Sequence, residues 1–150
     1  MIAKYYLNDP DAPKPNRPTH IGTNVLLEWN GKLLLEQRHD CGKWGLIGGK
    51  LRSGESYARG ISRELREETG IFLPENAFEQ VRVVDDNRIA SYRDGSVWRM
   101  IIVLFHTVLA EEPDLKPSHE SSRLRFFTRE ELASAEIVET HKDLVDEWRL

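Results

Sequence analysis

The sequence predicts an α/β fold in which a mixed sheet is flanked by helices. Three observations carry that expectation. Asn30-Gly31 and Asp94-Gly95 each sit between two strand-like runs, the arrangement of a tight hairpin. Between these hairpins, residues 56–69 place Ala58, Ile61 and Leu65 on one helical stripe. After them, "TREELASA" and "ETHKDLVDEWRL" carry helix start signals and apolar periodicity.

Taken in order, residues 1–19 are read as a proline-rich N-terminal arm. Four prolines in "NDPDAPKPNRP" remove backbone donors and leave residues 8–18 extended, with no regular helix or strand. The arm lies either across the domain or across a partner. Strands are expected near 20–29 and 32–38. "HDCGKWGLIGGKLRSGE" is rich in glycine and reads as a loop, with a short strand at Trp44–Ile47. The helix at 56–69 has Ser53 as a candidate N-cap and Gly70 as its stop. Residues 78–110 hold two or three strands. The apolar run "MIIVLFHTVLA" suits a central strand buried on both faces. "EEPDLKPSHESS" is a polar loop and "RLRFF" a short strand. Thr128 with Glu131 forms a capping box for the next helix. The closing helix should bury Leu144, Val145 and Trp148.

A length of 150 residues suits one domain, 1–150, around one core. A formal net charge of −4 argues against general nucleic-acid binding, which favours basic surfaces, but not against a small phosphorylated ligand. The one cysteine, Cys41, excludes an intrachain disulfide and fits a reducing compartment; in its glycine-flanked loop it reads as incidental rather than nucleophilic. The N-terminus lacks a signal-peptide apolar run, and no stretch approaches the roughly 20 apolar residues of a membrane span. A cytoplasmic protein that does not enter membranes is the expectation.

The 56–69 helix has an unusual end. Glu64, Glu67 and Glu68 crowd its last turn on a stripe beside the apolar one, where carboxylates repel the negative end of the helix dipole. Two unit charges about 5 Å apart repel by roughly 3 kcal/mol at an effective dielectric of 20. A divalent cation reverses that sign, and Mg²⁺ prefers such hard oxygen ligands while keeping waters or phosphates in its shell. Taken alone, "RELREE" reads first as a solvated acidic face, its charge partly neutralised by Arg59, Arg63 and Arg66.

The wider stretch resembles the Nudix box, G-x5-E-x7-R-E-U-x-E-E-x-G-U with U bulky and aliphatic. Gly49 is followed after five residues by Glu55, then after seven by Arg63-Glu64-Leu65; Glu67-Glu68 and Gly70-Ile71 complete it. Every specified position is met. One departure is Ile47, where many family members have proline before the paired glycines; it should alter the stiffness of the loop and not the metal chemistry.

The resemblance implies a Nudix hydrolase of the MutT-like kind: an α/β/α sandwich that cleaves the diphosphate linkage of a nucleoside diphosphate derivative by attack of water on phosphorus. Substrates of that class include nucleoside triphosphates, nucleotide sugars and ADP-ribose. It implies Mg²⁺, with Mn²⁺ as a substitute. Carried over by position, Glu64 and Glu68 are the main metal ligands and Glu67 is a ligand or the base. The Gly49 carbonyl completes the shell and Arg63 orients Glu64. Glu55 is structural. The general base stays open between Glu67 and Glu120, with His119 a neighbour of the site or plain surface. Arg38 either grips a phosphate or stays on the surface. Trp29, Tyr92 and Trp98 either stack on a base or serve the sheet; Trp44 is assigned to packing. The arm and the strand edges permit a homodimer without requiring one. The alternative is a nucleotide-sensing or partner-binding module on the same fold, with little catalysis.

Overall fold

Alternation along the strands builds the molecule. In the computed structural model, which describes residues 2–119 and 121–150, one seven-stranded sheet forms in the order β1-β5-β6-β2-β4-β3-β7. The strands are β1 (Ala3–Leu7), β2 (His20–Trp29), β3 (Lys32–Arg38), β4 (Trp44–Lys50), β5 (Glu79–Tyr92), β6 (Val97–Leu109) and β7 (Ser121–Phe127). The β2–β6 pair is parallel and the other strand pairs are antiparallel, so the sheet is mixed, as expected.

Successive residues of a strand point to opposite faces, and here both faces are covered. Val25, Leu27, Leu34, Ile47, Val103 and Phe105 pack with Ile61 and Leu65 of α1 (Tyr57–Thr69). Their sequence neighbours Leu26, Leu33, Leu35, Leu46, Ile102 and Leu104 pack on the other side, with Leu132 of α2 (Arg129–Ser134) and Leu144 and Val145 of α3 (Glu139–Arg149). This is the α/β/α sandwich. The central-strand expectation for β6 holds at Ile102–Phe105, where four consecutive residues are buried. Trp148 is partly buried against the α3-side core, and Trp44 meets Phe127 edge-on at 4.8 Å between ring centroids.

Both hairpins form, as do α2 with its Thr128–Glu131 capping box and α3. Three local expectations change. Residues 3–7, inside the expected arm, form β1, an edge strand paired with β5; the backbone N–H groups of Ile2 and Ala3 both donate to the Asp40 carbonyl at 2.9 Å. The N-cap of α1 is Ser56, whose hydroxyl accepts the Arg59 N–H at 3.2 Å, rather than Ser53. Strand β4 continues past Ile47 through Gly48, Gly49 and Lys50, which pair with Asn24, Thr23 and Gly22 of β2. Ile47 itself is wholly buried beneath α1. Among the described residues, no helix is long and apolar enough to cross a membrane.

Candidate active site

The end of β4 and the last turns of α1 come together edge to face. Gly48 has φ +150°, and a β-carbon there would lie 1.9 Å from the Thr23 carbonyl oxygen. Only glycine lets this strand run so close to β2. Gly49 follows, with its carbonyl beside Gly22; a β-carbon on Gly49 would lie 2.7 Å from Glu64 Oε1. The glycine pair thus makes room for the acidic side chains of α1.

Those side chains differ in environment. Glu68 is buried, and its Oε2 accepts the Gly48 N–H at 3.2 Å. Burial, reinforced by Glu36 and Glu64, pushes the Glu68 carboxyl up to about 10. Burial also raises Glu64, against the opposing pull of Arg63, and the two carboxyls share a hydrogen bond. Glu67 is half exposed and accepts from Arg52 and Arg63, each at 3.2 Å. Arg63 holds the cluster in place. Its guanidinium donates to Glu55 at 2.5 and 2.9 Å, to Glu64 at 2.9 Å and to the Lys50 carbonyl at 3.3 Å. Arg63 depresses Glu55 to about 2, so Glu55 is a fixed anion that anchors Arg63. Arg63 thereby joins Glu55 to Glu64.

The cleft containing Glu64 and Glu68 is also lined by Glu36, Arg38, Gly49 and His119. Arg38 lines this cleft with its side chain partly exposed. Its guanidinium donates to Asp40 at 3.0 and 2.8 Å and to the Tyr5 hydroxyl at 2.9 Å. Glu120 lies outside the described residues. Glu36 was missed in the sequence. It is buried on β3, two residues after Leu34, and therefore faces α1 as Leu34 does. A continuous apolar run at Leu33–Leu35 was the available sign that both faces of β3 are covered and that the next residue points inward.

Among the described residues, no three His, Cys, Asp or Glu side chains form a ready metal cage. The donors nevertheless fit a hard dication. They are carboxylate and carbonyl oxygens, Mg²⁺ typically completes its octahedron with water and phosphate, and burial beside Glu36 and Glu64 raises the Glu68 carboxyl, a charge cost that a nearby cation offsets.

On the other side of the Gly48–Lys50 segment lies a cavity of about 290 Å³ lined by His20, Tyr92, Trp98, Met100, Thr140 and His141, among others. Arg38, Gly48, Gly49 and Lys50 border both the cavity and the acidic cleft. Tyr92 and Trp98 thus reach a ligand-sized space. Trp29 instead packs edge-on against Phe126.

Comparison with known proteins agrees with this architecture. A family model described as NUDIX domain matches residues 18–148. The chain is 31% identical over 99 residues to "Nucleoside triphosphatase NudI" of Enterobacter sp. (strain 638), covering 65% of this chain and 70% of that protein. The NUDIX domain of Shewanella oneidensis NrtR, solved with ADP ribose, superposes with a TM-score of 0.71 at 22% identity, covering 94% of this chain and 91% of that one. A bifunctional NMN adenylyltransferase/ADP ribose pyrophosphatase from Francisella tularensis, solved with AMP and a Mn ion, superposes with a TM-score of 0.70 at 23% identity, covering 89% of this chain and 42% of that one. At those identities the two structures speak for the fold. With its box complete and the family model spanning nearly its whole length, the chain belongs to the NUDIX family of hydrolases.

Proposed function

We propose that this protein hydrolyses the phosphoric anhydride of a nucleoside diphosphate derivative, with a nucleoside triphosphate as the leading substrate, and requires Mg²⁺ or Mn²⁺. The observation that carries the reading is Glu68: a carboxyl buried against the Gly48 N–H, beside Glu64 and Glu36, and pushed up to about 10 in the absence of a cation. The similarity to a nucleoside triphosphatase favours triphosphates within the class.

Glu64 and Glu68 would hold the metal beside Gly49, with Arg63 fixing the Glu64 carboxylate. When bound, a dication would neutralise charge on the anhydride oxygens and acidify water. Glu67, exposed on α1 one residue before Glu68 and paired with Arg52 and Arg63, receives the proton of the attacking water; Glu120 is the second candidate for that step. Arg38, held by Asp40 and Tyr5, pairs with a phosphate through its remaining N–H groups. Displacement at phosphorus then releases a nucleoside monophosphate and pyrophosphate or a second phosphorylated product.

The test is product analysis on a panel of nucleoside triphosphates, nucleotide sugars and ADP-ribose, with and without Mg²⁺. Metal-dependent release of monophosphate, lowered by orders of magnitude in Glu67→Gln and Glu68→Gln, is expected. Tight nucleotide binding with no turnover in the presence of metal would replace the enzyme with a sensing module.

A further inference from the structure

Strands β1 and β3 are separated by four strands in the sheet order, yet Tyr5 of one is bonded to Arg38 at the end of the other. The Arg38 guanidinium carries five N–H groups. Nε donates to Asp40 Oδ1 at 3.0 Å, and Nη2 donates to Asp40 Oδ2 at 2.8 Å and to the Tyr5 hydroxyl at 2.9 Å. The Tyr5 hydroxyl in turn donates to Asp40 Oδ2 at 2.5 Å, which closes a triangle of three side chains. Three of the five N–H groups are thereby occupied. The two on Nη1 are left, and Nη1 stands 4.0 Å from Glu36 Oε1, beside the acidic cleft that both residues line.

The triangle depends on β1 being fixed in place. The Ile2 and Ala3 N–H groups both donate to the Asp40 carbonyl at 2.9 Å, so Asp40 binds this strand through its backbone as well as its side chain. Along Ala3–Leu7 the strand pairs with β5. Its far end is tied where the Asn8 N–H donates to the Asn87 carbonyl at 2.8 Å and the Asn87 N–H to Asn8 Oδ1 at 3.0 Å. Tyr5 is buried, with its ring centre 5.3 Å from the Arg38 guanidinium carbon. Asp40 alone would satisfy the charge of Arg38. The Tyr5 hydroxyl adds a bond to each partner and fixes the rotation of the guanidinium plane. An arginine held in this way has lost its rotamer freedom on folding and has less to lose when it grips a ligand.

We infer that Tyr5 is a positioning residue for phosphate binding: its hydroxyl, together with Asp40, holds the Arg38 fork so that Nη1 is the nitrogen that meets a phosphate oxygen. The N-terminal strand is then part of the active site and not merely an edge of the sheet. The inference rests on the reading of Arg38 as a phosphate contact and adds the group that sets its direction.

Tyr5→Phe keeps the buried ring and removes the hydroxyl. Ala3→Gly is the structural control: it trims a buried side chain of the same strand and leaves the three side chains of the triangle in place. Calorimetry on the full chain with Mg²⁺ would use imidodiphosphate, a pyrophosphate mimic whose P–N–P bridge resists hydrolysis. Tyr5→Phe should bind it about fivefold more weakly than wild type, and Arg38→Gln about tenfold more weakly. In the Arg38→Gln background, Tyr5→Phe should cost nothing further, because the group it positions is gone. Mn²⁺ binding without phosphate, followed by electron paramagnetic resonance, should be the same in wild type and Tyr5→Phe. Unchanged imidodiphosphate affinity in Tyr5→Phe would overturn the assignment. So would the same loss in the Arg38→Gln background, an equal loss in Ala3→Gly, an equal loss of Mn²⁺ binding, or a wild type that binds no imidodiphosphate. Should Arg38→Gln fail to fold, the contrast between Tyr5→Phe and Ala3→Gly decides. The expected losses in a protein that hydrolyses no nucleotide support the assignment and overturn only the catalytic reading. Metal-dependent hydrolysis with phosphate affinity indifferent to Tyr5 does the reverse.

Discussion

Gly49 leaves the space that Glu64 fills: a β-carbon at position 49 would lie 2.7 Å from Glu64 Oε1. The glycine sets where that carboxylate stands. Gly49→Ala should push it out of line with Glu68 while leaving the core beneath α1 intact. Misplacement of about an ångström costs on the order of 100-fold in rate, and overpacking costs about 1–3 kcal/mol of stability. Steady-state kinetics, thermal unfolding and Mn²⁺ titration followed by electron paramagnetic resonance should show lowered turnover and weakened ion binding in a folded protein.

Glu68 makes the metal-free protein sensitive to alkali. Its folded pKa, about 10, stands above the ordinary 4.5. A carboxyl that holds its proton more tightly when folded contributes stability that is complete below pH 4.5 and is lost as pH rises toward 10. In a chelator, the melting temperature should therefore fall between about pH 5 and pH 9. Glu68→Gln, which mimics the protonated carboxyl, should flatten that slope.

Glu55 acts in the opposite window. Arg63 lowers it to about 2, so its contribution is complete above pH 4.5 and is lost as pH falls toward 2. Glu55→Gln should remove that part of the acid-unfolding curve, read by circular dichroism. It should also slow turnover at neutral pH by about tenfold, because the Arg63 fork that orients Glu64 loses its charged anchor.

Arg88 ties α3 to the sheet. The side chain is only 1% exposed and donates to Asp143 at 2.7 and 2.6 Å, to Asp86 at 2.9 and 3.2 Å, and to the Thr140 carbonyl. Arg88→Met should destabilise the fold by about 3 kcal/mol, the lower end for a broken buried pair, because Asp86 and Asp143 retain some contact with water. Urea unfolding measures this.

What the sequence made legible was local. Asn30-Gly31 and Asp94-Gly95 announced their turns because those dipeptides accept the backbone twist that a hairpin needs. Thr128 with Glu131, and Gly70 after Thr69, marked helix ends by their own hydrogen-bonding chemistry. The box spacing located Arg63, Glu64 and Glu68 within one helix and Gly49 beside them. Long-range partners were not legible. Strand β1 is a five-residue edge whose pairing lies at Arg88–Tyr92, far along the chain. Tyr5 and Asp40 meet at Arg38, and His141 meets Leu46, through the fold alone. Ser53 and Ser56 both suit an N-cap, and only the position of the first turn chooses between them. Glu36 was hidden because a charged residue at the end of a strand ordinarily faces water.

The central claim is that a dication displaces the proton held between Glu64 and Glu68. Its most direct test is calorimetric titration of Mg²⁺ into the wild type and Glu68→Gln at pH 8, in two buffers of different ionisation enthalpy. The wild type is expected to bind the ion and release about one proton per ion, and the variant to bind far more weakly and release none. Wild-type binding without proton release, or equal binding by both proteins, would contradict it.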